Sequence, residues 1–577
     1  MAKRWIIRPL SPDSTAVAER WGVPRFFAQV LVNRGLSAEE SPRSFLTPQL
    51  KDLHPPQSLF GVSQAAELVV GAIRRKPKQR IVLYGDYDVD GTTGVAILWH
   101  ILAQADADVT FYVPHRVDEG YGLNLDAVKR LIDEGAAMII SVDCGITATE
   151  VADAVRKGGV RLIITDHHAP HAVLPQADAI VHPGIGGGYP NPVLCGAGVA
   201  FKLAWAIAQQ LSGSERVNPA FRALLLEMLP LAALGTIADV VPLLGENRII
   251  ARHGLEGLVN TTLPGLRALI ESAGLGAGKI SGYDVGFKLA PRINAAGRMG
   301  HARLAVELFT RADQTRAREI AMYLEEHNRS RKAAERQILK QAVEMVERQN
   351  LASDARRAIV LASEGWHGGV IGIVAARLVD LYHRPTVMIA LSENEGQGSG
   401  RSIEHFDLNA ALAACGEHLL TYGGHAMAAG LRIARSHLGP FAAAFVEVAN
   451  NRLTGDDLVE KLRLDAEVGL EELTLPAVEL IVGLGPFGVG NPRPRFATDW
   501  IEVAAEPRCV GQNQGHLQAE FRQNGVQMKA IGFGLAGRVE DLKQHRRCRV
   551  AFEPIFNDYN GRRTVEMQMI DLRFPQR

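Results

Sequence analysis

The sequence predicts an α/β protein in which a parallel-sheet domain is joined by a long helix to a second α/β domain, with a small β-barrel at the C-terminal end. Short apolar runs alternate with helical patterns between residues 80 and 170. Residues 311–350 contain neither Gly nor Pro and predict one uninterrupted helix. After residue 457 the apolar runs are short and separated by turn residues, which is typical of all-β domains.

Four apolar runs in the first domain predict buried parallel strands. They are Ile81–Gly85, Val109–Val113, Met138–Val142 and Leu162–Thr165, and the helical patterns between them are Thr93–Ala105, Asn124–Asp133 and Thr149–Lys157. Continuous apolar strands joined by helices predict a sheet that is covered on both faces. Ligands of such sheets bind at the carboxyl ends of the strands. Because Asp86, Asp143 and Asp166 each follow one of these runs, the sequence predicts a site at that edge.

The later elements complete the predicted domain organisation. The long helix carries an apolar stripe while Arg and Glu fill its other faces, so we expect a solvated linker helix. The stripe consists of Ile320, Leu324, His327, Ala334, Ile338 and Met345. The second α/β unit is predicted from Ile359–Ala362, Val370–Leu381 and Thr386–Leu391. The β-like runs are Arg463–Val468, Trp500–Ala504, His516–Phe521, Gln527–Gly532, Cys548–Glu553 and Val565–Ile570. The expected domains are 1–50 (an N-terminal segment), 51–305, 306–350 (the connecting helix), 351–455 and 456–577.

Composition excludes several classes of protein. Hydrophobic residues make up 47% and charged residues 22% of the 577 residues, which excludes a disordered or fibrous chain. Five scattered cysteines without a CxxC pair argue against a disulfide framework and against a thiolate zinc site. The N-terminal apolar run is too short for a signal peptide, and the apolar region Leu224–Leu244 is interrupted by charged residues and prolines. We therefore expect a soluble, cytoplasmic protein that does not bind membranes.

The formal net charge is zero, with 63 Lys and Arg against 63 Asp and Glu. A chain without a global basic field attracts polyanions only through local patches. Any binding of nucleic acid must therefore come from particular segments of the chain.

The densest cluster of acids follows the first predicted strand. Asp86, Asp88 and Asp90 occupy alternate positions, and in an extended chain alternate side chains point to one side. Three carboxylates that lie so close raise each other's pKa unless a cation neutralises them. Helix caps and turns explain one Asp well but three poorly. The sequence therefore predicts a metal site.

Further candidate ligands follow other strands. Asp143 and the triplet Asp166-His167-His168 stand at strand ends, and Asp239 is a lone carboxylate within an apolar stretch, where an unpaired charge is costly. Oxygen donors with one or two imidazoles suit Mn²⁺ or Mg²⁺ better than Zn²⁺. Two such ions about 3.5–4 Å apart can share a carboxylate, activate water and stabilise an in-line phosphoryl displacement. The pattern therefore predicts a two-metal phosphoesterase.

These residues resemble, in order and context, the four motifs of the DHH phosphoesterases: Asp88-Val89-Asp90-Gly91, Asp143, Asp166-His167-His168 and Asp239. The segment Gly423–Gly430 resembles the glycine-rich signature of the DHHA1 domain. With Arg292–Arg298 and Trp366–Gly372, the resemblance narrows to the RecJ family of bacterial single-stranded-DNA 5′→3′ exonucleases, and it spans about residues 50 to 500.

The resemblance implies a role for each matching residue. It implies metal ligation by Asp88, Asp90, Asp143, His167 and Asp239, with Asp143 bridging two ions. His168 would contact the scissile phosphate or assist protonation, and Asp86 would ligate or orient its neighbours. Many DHH proteins have a His where this chain has Tyr84, a poor ligand, so we expect the first metal to bind weakly until substrate phosphate completes its shell.

Candidate substrate-binding residues lie on several loops. Arg116 follows a strand end, Arg298 lies in a small-residue segment, and Gly398–Ser402 resembles a backbone nest beside the guanidinium of Arg401. The resemblance implies a pocket for the 5′ end and its phosphates. Its predicted members are Arg116, Asn294, Arg298, Ser399, Arg401 and His425, and His425 is either a phosphate contact or a loop-ordering residue.

The C-terminal region resembles an OB fold. Cations for the backbone and aromatic faces for the bases are what single strands require, although the aromatics can equally be the core of a solvated barrel. The residues concerned are Lys529, Arg538, Lys543, Arg546, Arg547, Arg549, Arg562 and Arg563, with Phe533, Phe552, Phe556 and Tyr559 among them.

Three functions compete on this evidence. The first is a metal-dependent 5′→3′ exonuclease that degrades single-stranded DNA to mononucleotides in repair and recombination, and the resemblance implies a RecQ-type helicase and single-stranded-DNA-binding protein as partners. The second is a DHH phosphodiesterase of short oligoribonucleotides or cyclic dinucleotides, which are usually shorter proteins. The third is a catalytically inactive replication scaffold, against which the intact acidic and histidine motifs argue.

Overall fold

The computed structural model describes residues 3–37, 43–114, 119, 122–276, 278–299 and 301–575. The N-terminal segment forms β1 (Arg4–Ile7), α1 (Pro12–Trp21), α2 (Arg25–Asn33) and α3 (Arg43–Leu46). This segment packs on the C-terminal domain, since the ring of Phe26 contacts Phe496 edge to face.

The first domain is built on a parallel sheet. Its elements are α4 (Val62–Arg74), β2 (Ile81–Gly85), α5 (Val89–Gln104), β3 (Val109–Tyr112), α6 (Leu125–Asp133), β4 (Met138–Val142), α7 (Thr149–Lys157), β5 (Arg161–Thr165) and β6 (Ala179–Val181). The strand order is β3-β2-β4-β5-β6, and all neighbouring strands are parallel. The four predicted strands are confirmed, and β6 is an additional one. The chain leaves β2 in one direction and returns to β4 on its other side, so a ligand crevice opens between the carboxyl ends of β2 and β4.

Helices complete the first domain. They are α8 (Gly196–Ser212), α9 (Pro219–Ala238), α10 (Gly245–Val259), α11 (Pro264–Ser272), α12 (Gly282–Asp284), a π-helical turn (Val285–Leu289), α13 (Ala290–Met299) and α14 (Arg303–Thr310). Among the helices in the described ranges, α9 is the one long and apolar enough to cross a membrane, and 61% of its most apolar stretch is buried. Its Met228, Leu231 and Leu234 belong to the core of the first domain.

The connecting helix α15 (Gln314–Arg348) is less solvated than predicted. Its N-terminal half buries Ile320 and Leu324 in the core of the first domain. Its C-terminal half buries Ile338, Ala342 and Val346 in the core of the second domain. The expectation of a solvated linker is therefore wrong for this face, because alanines widen the predicted stripe enough for both domains to pack against it.

The second α/β domain follows this helix. Its elements are β7 (Ile359–Glu364), α16 (Gly368–Tyr382), β8 (Thr386–Leu391), β9 (Glu395–Arg401), α17 (Leu408–Ala414), β10 (Thr421–Gly424), β11 (Ala428–Ala434) and α18 (Leu438–Arg452). The strand order is β10-β11-β9-β8-β7, in which β7 and β8 are parallel and the other neighbours are antiparallel.

The C-terminal domain is predominantly β. Its elements are β12 (Lys461–Leu464), β13 (Ala466–Glu467), α19 (Leu475–Gly483), β14 (Phe496–Ala497), β15 (Ile501–Val503), β16 (Arg508–Val510), β17 (His516–Gln523), β18 (Val526–Gly532), α20 (Val539–His545), β19 (Arg547–Tyr559) and β20 (Arg562–Arg573). Each of the six predicted runs overlaps a strand. β20 pairs with both β18 and β19, and β12 pairs in parallel with β1 of the N-terminal segment.

Candidate metal centre

Carboxylates converge on the crevice between β2 and β4. Asp86 and Asp88 follow β2, and Asp143 follows β4 with a backbone φ of +64°, a left-handed conformation that Asp and Asn tolerate better than most residues. Asp88 caps α5, because its Oδ1 accepts hydrogen bonds from the amides of Asp90 (2.9 Å) and Gly91 (3.1 Å). The predicted extended chain from Asp86 to Asp90 is therefore wrong, since the helix begins at Val89 and places Asp90 in its first turn, against the start of α8.

The candidate ligands fall into overlapping groups. Asp86, Asp88 and Asp143 form one group, and Asp90, His167 and Asp239 form another, with the ligand atoms of each group within 4.8 Å of one another. A third group joins Asp143 to His167 and His168. Asp143 therefore lies between two clusters, which is the arrangement required of a carboxylate shared by two ions.

The carboxylate of Asp90 is fixed by the start of α8. The amides of Gly196 and Ala197 donate to its two oxygens at 2.6 Å and 2.8 Å. A helix N-terminus stabilises a negative charge. A Cβ atom on Gly196 would lie 2.5 Å from Oδ1 of Asp143, so this helix approaches the centre as closely as a glycine permits. Sequence reasoning missed this contact, although the run Gly196-Ala197-Gly198 was a signal for a close backbone approach.

His167 has the position of a ligand. Its Nε2 lies 3.2 Å from Asp143, 3.6 Å from Asp239 and 3.8 Å from Asp90, measured to carboxylate oxygens. This buried nitrogen makes no hydrogen bond in the described structure. Burial lowers the pKa of His167, which favours the neutral imidazole that binds metals. A buried lone pair that faces three carboxylates fits a bound cation.

The electrostatics of the acids lead to the same conclusion. Burial, followed by repulsion from neighbouring carboxylates, raises the pKa of Asp88 and raises that of Asp143 well above its usual range. The same causes raise the pKa of Asp239 to about 8. A divalent cation removes this repulsion. Burial also raises the pKa of the nearby thiols of Cys144 and Cys195, so thiolate ligation is disfavoured and the oxygen-rich donor set suits Mn²⁺ or Mg²⁺.

His168 is oriented by a neighbouring acid. Its Nδ1 lies 2.7 Å from Oδ1 of Asp166. Burial lowers the pKa of His168, but the hydrogen bond and charge of Asp166 outweigh it, so the pKa is raised overall. Asp166 is itself held by the amide of Ile146 at 2.9 Å. The sequence placed Asp166 at a strand end, but its role in orienting His168 was missed, because the bond depends on how the chain turns after β5.

An open cavity of about 630 Å³ lies beside His168. His425, in the turn between β10 and β11, lines its other side, so the second domain faces the metal centre. His171 and residues around the start of α7 complete the wall. The cavity is therefore bounded by both α/β domains.

Other predicted substrate residues lie near the start of α16. Arg298 is in helix α13 and not in a loop, because the alanine-rich segment favours helix, and its Nη1 donates to the carbonyl of Gly369 at 2.8 Å. Asn294, in the same helix, accepts a hydrogen bond from the amide of Val89 at 3.1 Å. Arg116 lies outside the described residues.

Ser399 and Arg401 lie on strand β9, so the predicted backbone nest is wrong. The glycines around them permit dense packing of the sheet. A Cβ atom on Gly398, for example, would lie 2.6 Å from Leu431. Arg401 donates to Oγ of Ser399 at 3.2 Å, and a Cβ atom on Gly372 of α16 would lie 2.7 Å from that oxygen. The structure thus brings Ser399 and Arg401 close to α16, whose first turn also contacts Arg298.

Tyr84 has a structural role in this chain. Its side chain is buried, and its hydroxyl donates to the carbonyl of Gly122 at 3.2 Å and accepts from the amide of Asn124 at 3.1 Å. Burial raises the pKa of this phenol, so it stays protonated. Tyr84 therefore fixes the loop before α6 and does not act as a ligand.

Comparisons with known proteins agree with this architecture. Three family models match: the DHH family N-terminal domain at residues 80–236, the DHHA1 domain at 355–452 and the RecJ OB domain at 464–571. The single-stranded-DNA-specific exonuclease RecJ of Bacillus subtilis is 37% identical over 98% of this chain and 70% of its own length. The Escherichia coli protein of the same name is 32% identical over 96% of both chains.

Solved structures show the same likeness. RecJ of Thermus thermophilus in complex with Mn²⁺ matches with a TM-score of 0.84 and 32% identity, covering 100% of this chain and 80% of that one. The same protein in complex with Mg²⁺ matches with a TM-score of 0.78. The three matching domains and these relatives show that the chain belongs to the RecJ family of DHH phosphoesterases.

Proposed function

We propose that this protein is a metal-dependent exonuclease that degrades single-stranded DNA from its 5′ end to mononucleotides. The observation that carries the proposal is the pair of ligand groups around Asp143 at the carboxyl edge of the parallel sheet. Asp88, Asp90, Asp143, His167 and Asp239 would hold two Mn²⁺ or Mg²⁺ ions. When bound, the ions supply a nucleophilic hydroxide and neutralise charge that develops on the phosphate.

The chain's own groups position the substrate and move a proton. Asp166 binds Nδ1 of His168 and favours the protonated ring, which leaves Nε2 to donate a proton to the departing 3′ oxygen. Asp86 lies in one group with Asp88 and Asp143, where it would bind an ion as a further ligand or orient its neighbours. The 5′ phosphate would bind between Arg298, Ser399 and Arg401, with Arg116 and His425 as further contacts.

The C-terminal domain supports a polymeric substrate. The strand ends beside the turn between β19 and β20 carry Tyr559, which is 72% exposed, and the exposed cations Arg562 and Arg563. Arg563 pairs with Asp558 at 2.8 Å, whereas Arg562 has no ion pair among the described residues. Exposed cations beside aromatic rings suit a single strand. A phosphodiesterase of cyclic dinucleotides does not require such a surface for its small substrate. An inactive scaffold does not require an intact set of metal ligands. We also propose, from the family resemblance, a cytoplasmic location and cooperation with a RecQ-type helicase and single-stranded-DNA-binding protein.

Digestion of end-labelled DNA tests this function. With Mn²⁺ present, single-stranded DNA labelled at the 5′ end should release its label as a mononucleotide at once, whereas label at the 3′ end should appear last. Asp143→Asn should abolish cleavage yet retain strand binding, because Asn also tolerates the left-handed backbone at this position. Asp133→Asn, an exposed acid on α6, is the matched control and should retain full activity. A preference for dinucleotides, or full activity of Asp143→Asn, would contradict the proposal.

A further inference from the structure

Asn247, in the first turn of α10, is a buried amide that joins two loops of the first domain. Its Nδ2 donates to the carbonyl of Val193 at 2.9 Å and to the carbonyl of Pro242 at 3.1 Å. Its Oδ1 accepts a hydrogen bond from Nδ2 of Asn191 at 2.8 Å. Both hydrogens of this amide are therefore used to fix the loop before α8 against the loop after α9.

The loop before α8 determines where Asp90 is held. Val193 lies three residues ahead of Gly196, and the first amides of α8 donate to both carboxylate oxygens of Asp90. The start of the same loop is fixed by the neighbour of Asn247, because the hydroxyl of Tyr189 donates to the carboxylate of Glu246. The start of α10 therefore positions the helix end that orients Asp90.

The loop after α9 carries Asp239 and a strained residue. Asp239 directly follows α9, and its amide donates to the carbonyl of Gly235 at 2.9 Å. Val240, the next residue, has a backbone φ of +63°, a left-handed conformation that is strained for a β-branched side chain. Its side chain is 62% exposed, so burial of this side chain does not offset the strain. Strained backbone persists only where the surrounding contacts impose it.

Contacts on the far side of Val240 impose this conformation. Asn247 holds the carbonyl of Pro242, and the amide of the next residue, Leu243, donates to the carbonyl of Val489 at 2.8 Å. Only residues 240 and 241 separate these contacts from Asp239, whose own amide is held by α9. A shift of the loop at residue 242 is therefore passed directly to the backbone of this ligand.

We propose that Asn247 is a positioning residue for the metal site formed by Asp90, His167 and Asp239. Through one loop it fixes the helix start that orients Asp90, and through the other it keeps Asp239 within 3.6 Å of Nε2 of His167. The ligands of the other group are carried by the ends of β2 and β4 rather than by these loops. Loss of Asn247 therefore weakens one metal site selectively. The inference rests on the proposed function, because the ion concerned is one of the two that the exonuclease would use.

Two variants and a matched control test this role. Asn247→Ala removes all three hydrogen bonds, and Asn191→Ala is the milder variant that leaves both carbonyl contacts in place. The control is Asn450→Ala in the second domain, because Asn450 likewise donates to the carbonyl of Ala355 and accepts from the amide of Arg357, both at 3.0 Å. Calorimetry without DNA measures Mn²⁺ binding, and anomalous peak heights at limiting Mn²⁺ identify the site that is weakened. Melting temperatures verify that each variant folds.

We expect Asn247→Ala to weaken one of the two Mn²⁺ sites about 10-fold, as loss of a group that orients metal ligands typically does. The anomalous peak among Asp90, His167 and Asp239 should fall relative to the peak beside Asp88. Asn191→Ala should change the same site by a smaller factor. Asn450→Ala should melt lower than wild type but bind both ions as wild type does. In Asn247→Ala the Mn²⁺ concentration for half-maximal DNA degradation should rise more than the maximal rate falls.

A second substitution tests whether the strained turn is part of the mechanism. Glycine adopts the left-handed conformation without strain, so Val240→Gly lets the loop keep its native turn when Asn247 no longer holds it. The double variant of Asn247→Ala with Val240→Gly should recover part of the lost Mn²⁺ affinity, and no recovery would overturn the role of the strained turn.

A folded variant of Asn247 or Asn191 that binds both ions like wild type, or that loses both equally, would overturn the positioning role while leaving the exonuclease intact. A wild-type protein that binds no Mn²⁺ and degrades no DNA would instead overturn the proposed function.

Discussion

Replacing Gly196 by Ala perturbs the metal centre at two carboxylates. The new Cβ atom would lie 2.5 Å from Oδ1 and 2.7 Å from Cγ of Asp143, whereas ordinary contacts begin at 3.4 Å. The carboxylate or the helix must therefore move by about 1 Å, a displacement that can cost about 100-fold in rate at a catalytic site. The helix cannot retreat freely, because the Gly196 amide also binds Asp90 at 2.6 Å.

The assay is single-turnover degradation of single-stranded DNA over a Mn²⁺ titration. Gly196→Ala should degrade DNA about 100-fold more slowly and require more Mn²⁺. Gly71→Ala is the matched control, since Gly71 lies within helix α4 and its Cβ atom would meet nothing within 4 Å. The control should keep its activity and gain about 0.5–1 kcal/mol in stability, as Ala exceeds Gly in a helix. A Gly196→Ala variant with wild-type rate and Mn²⁺ affinity would refute the crowded geometry.

Three further outcomes follow from the site. Because the pKa of Asp239 is raised to about 8 from an ordinary 3.8, Mn²⁺ competes with a proton, and calorimetry should show affinity falling as the pH drops below about 8. The folded metal-free protein binds that proton more tightly than the unfolded chain, so stability from this group is lost as the pH rises from about 4 to 8. Asp239→Asn should therefore melt higher than wild type in EDTA at pH 8, and an unchanged or lower melting temperature would count against the repulsion. Asp166→Asn should lower the pKa of His168 and shift the alkaline limb of the pH–rate profile of DNA degradation to lower pH. An unchanged alkaline limb would exclude His168 as the proton donor. Mn²⁺ should raise the melting temperature of the wild-type protein more than that of Asp143→Asn. An equal increase in both proteins would exclude Asp143 as a ligand.

The parallel sheet and its acidic edge could be predicted from the sequence because both depend on local patterns. Buried parallel strands leave continuous apolar runs, and an acid after a strand end must lie at the ligand-binding edge. The bounds of β2 and β4 match the predicted runs residue for residue. Asp86, Asp143 and Asp166 were accordingly predicted to lie at one edge of the sheet, whereas Asp239 was predicted from its apolar surroundings.

The missed features depend on contacts between distant segments. The hydrogen bond from Gly196 to Asp90 joins residues 106 positions apart, and no spacing rule connects them. The Gly398–Arg401 segment was predicted as a turn because glycines favour turns, yet pairing with β8 and β11 makes it a strand. The width of the buried face of α15 was underestimated. Alanines add little hydrophobicity to a predicted apolar stripe, but they allow close packing between helices. Tertiary packing decided each of these cases.

Anomalous diffraction from crystals grown with Mn²⁺ tests the central claim most directly. The two-metal interpretation predicts two anomalous peaks within reach of Asp143, one beside Asp88 and the other among Asp90, His167 and Asp239. Loss of both peaks in Asp143→Asn crystals would agree with a shared carboxylate. A single peak at saturating Mn²⁺ in the presence of a bound oligonucleotide, or peaks away from these residues, would contradict the two-metal exonuclease.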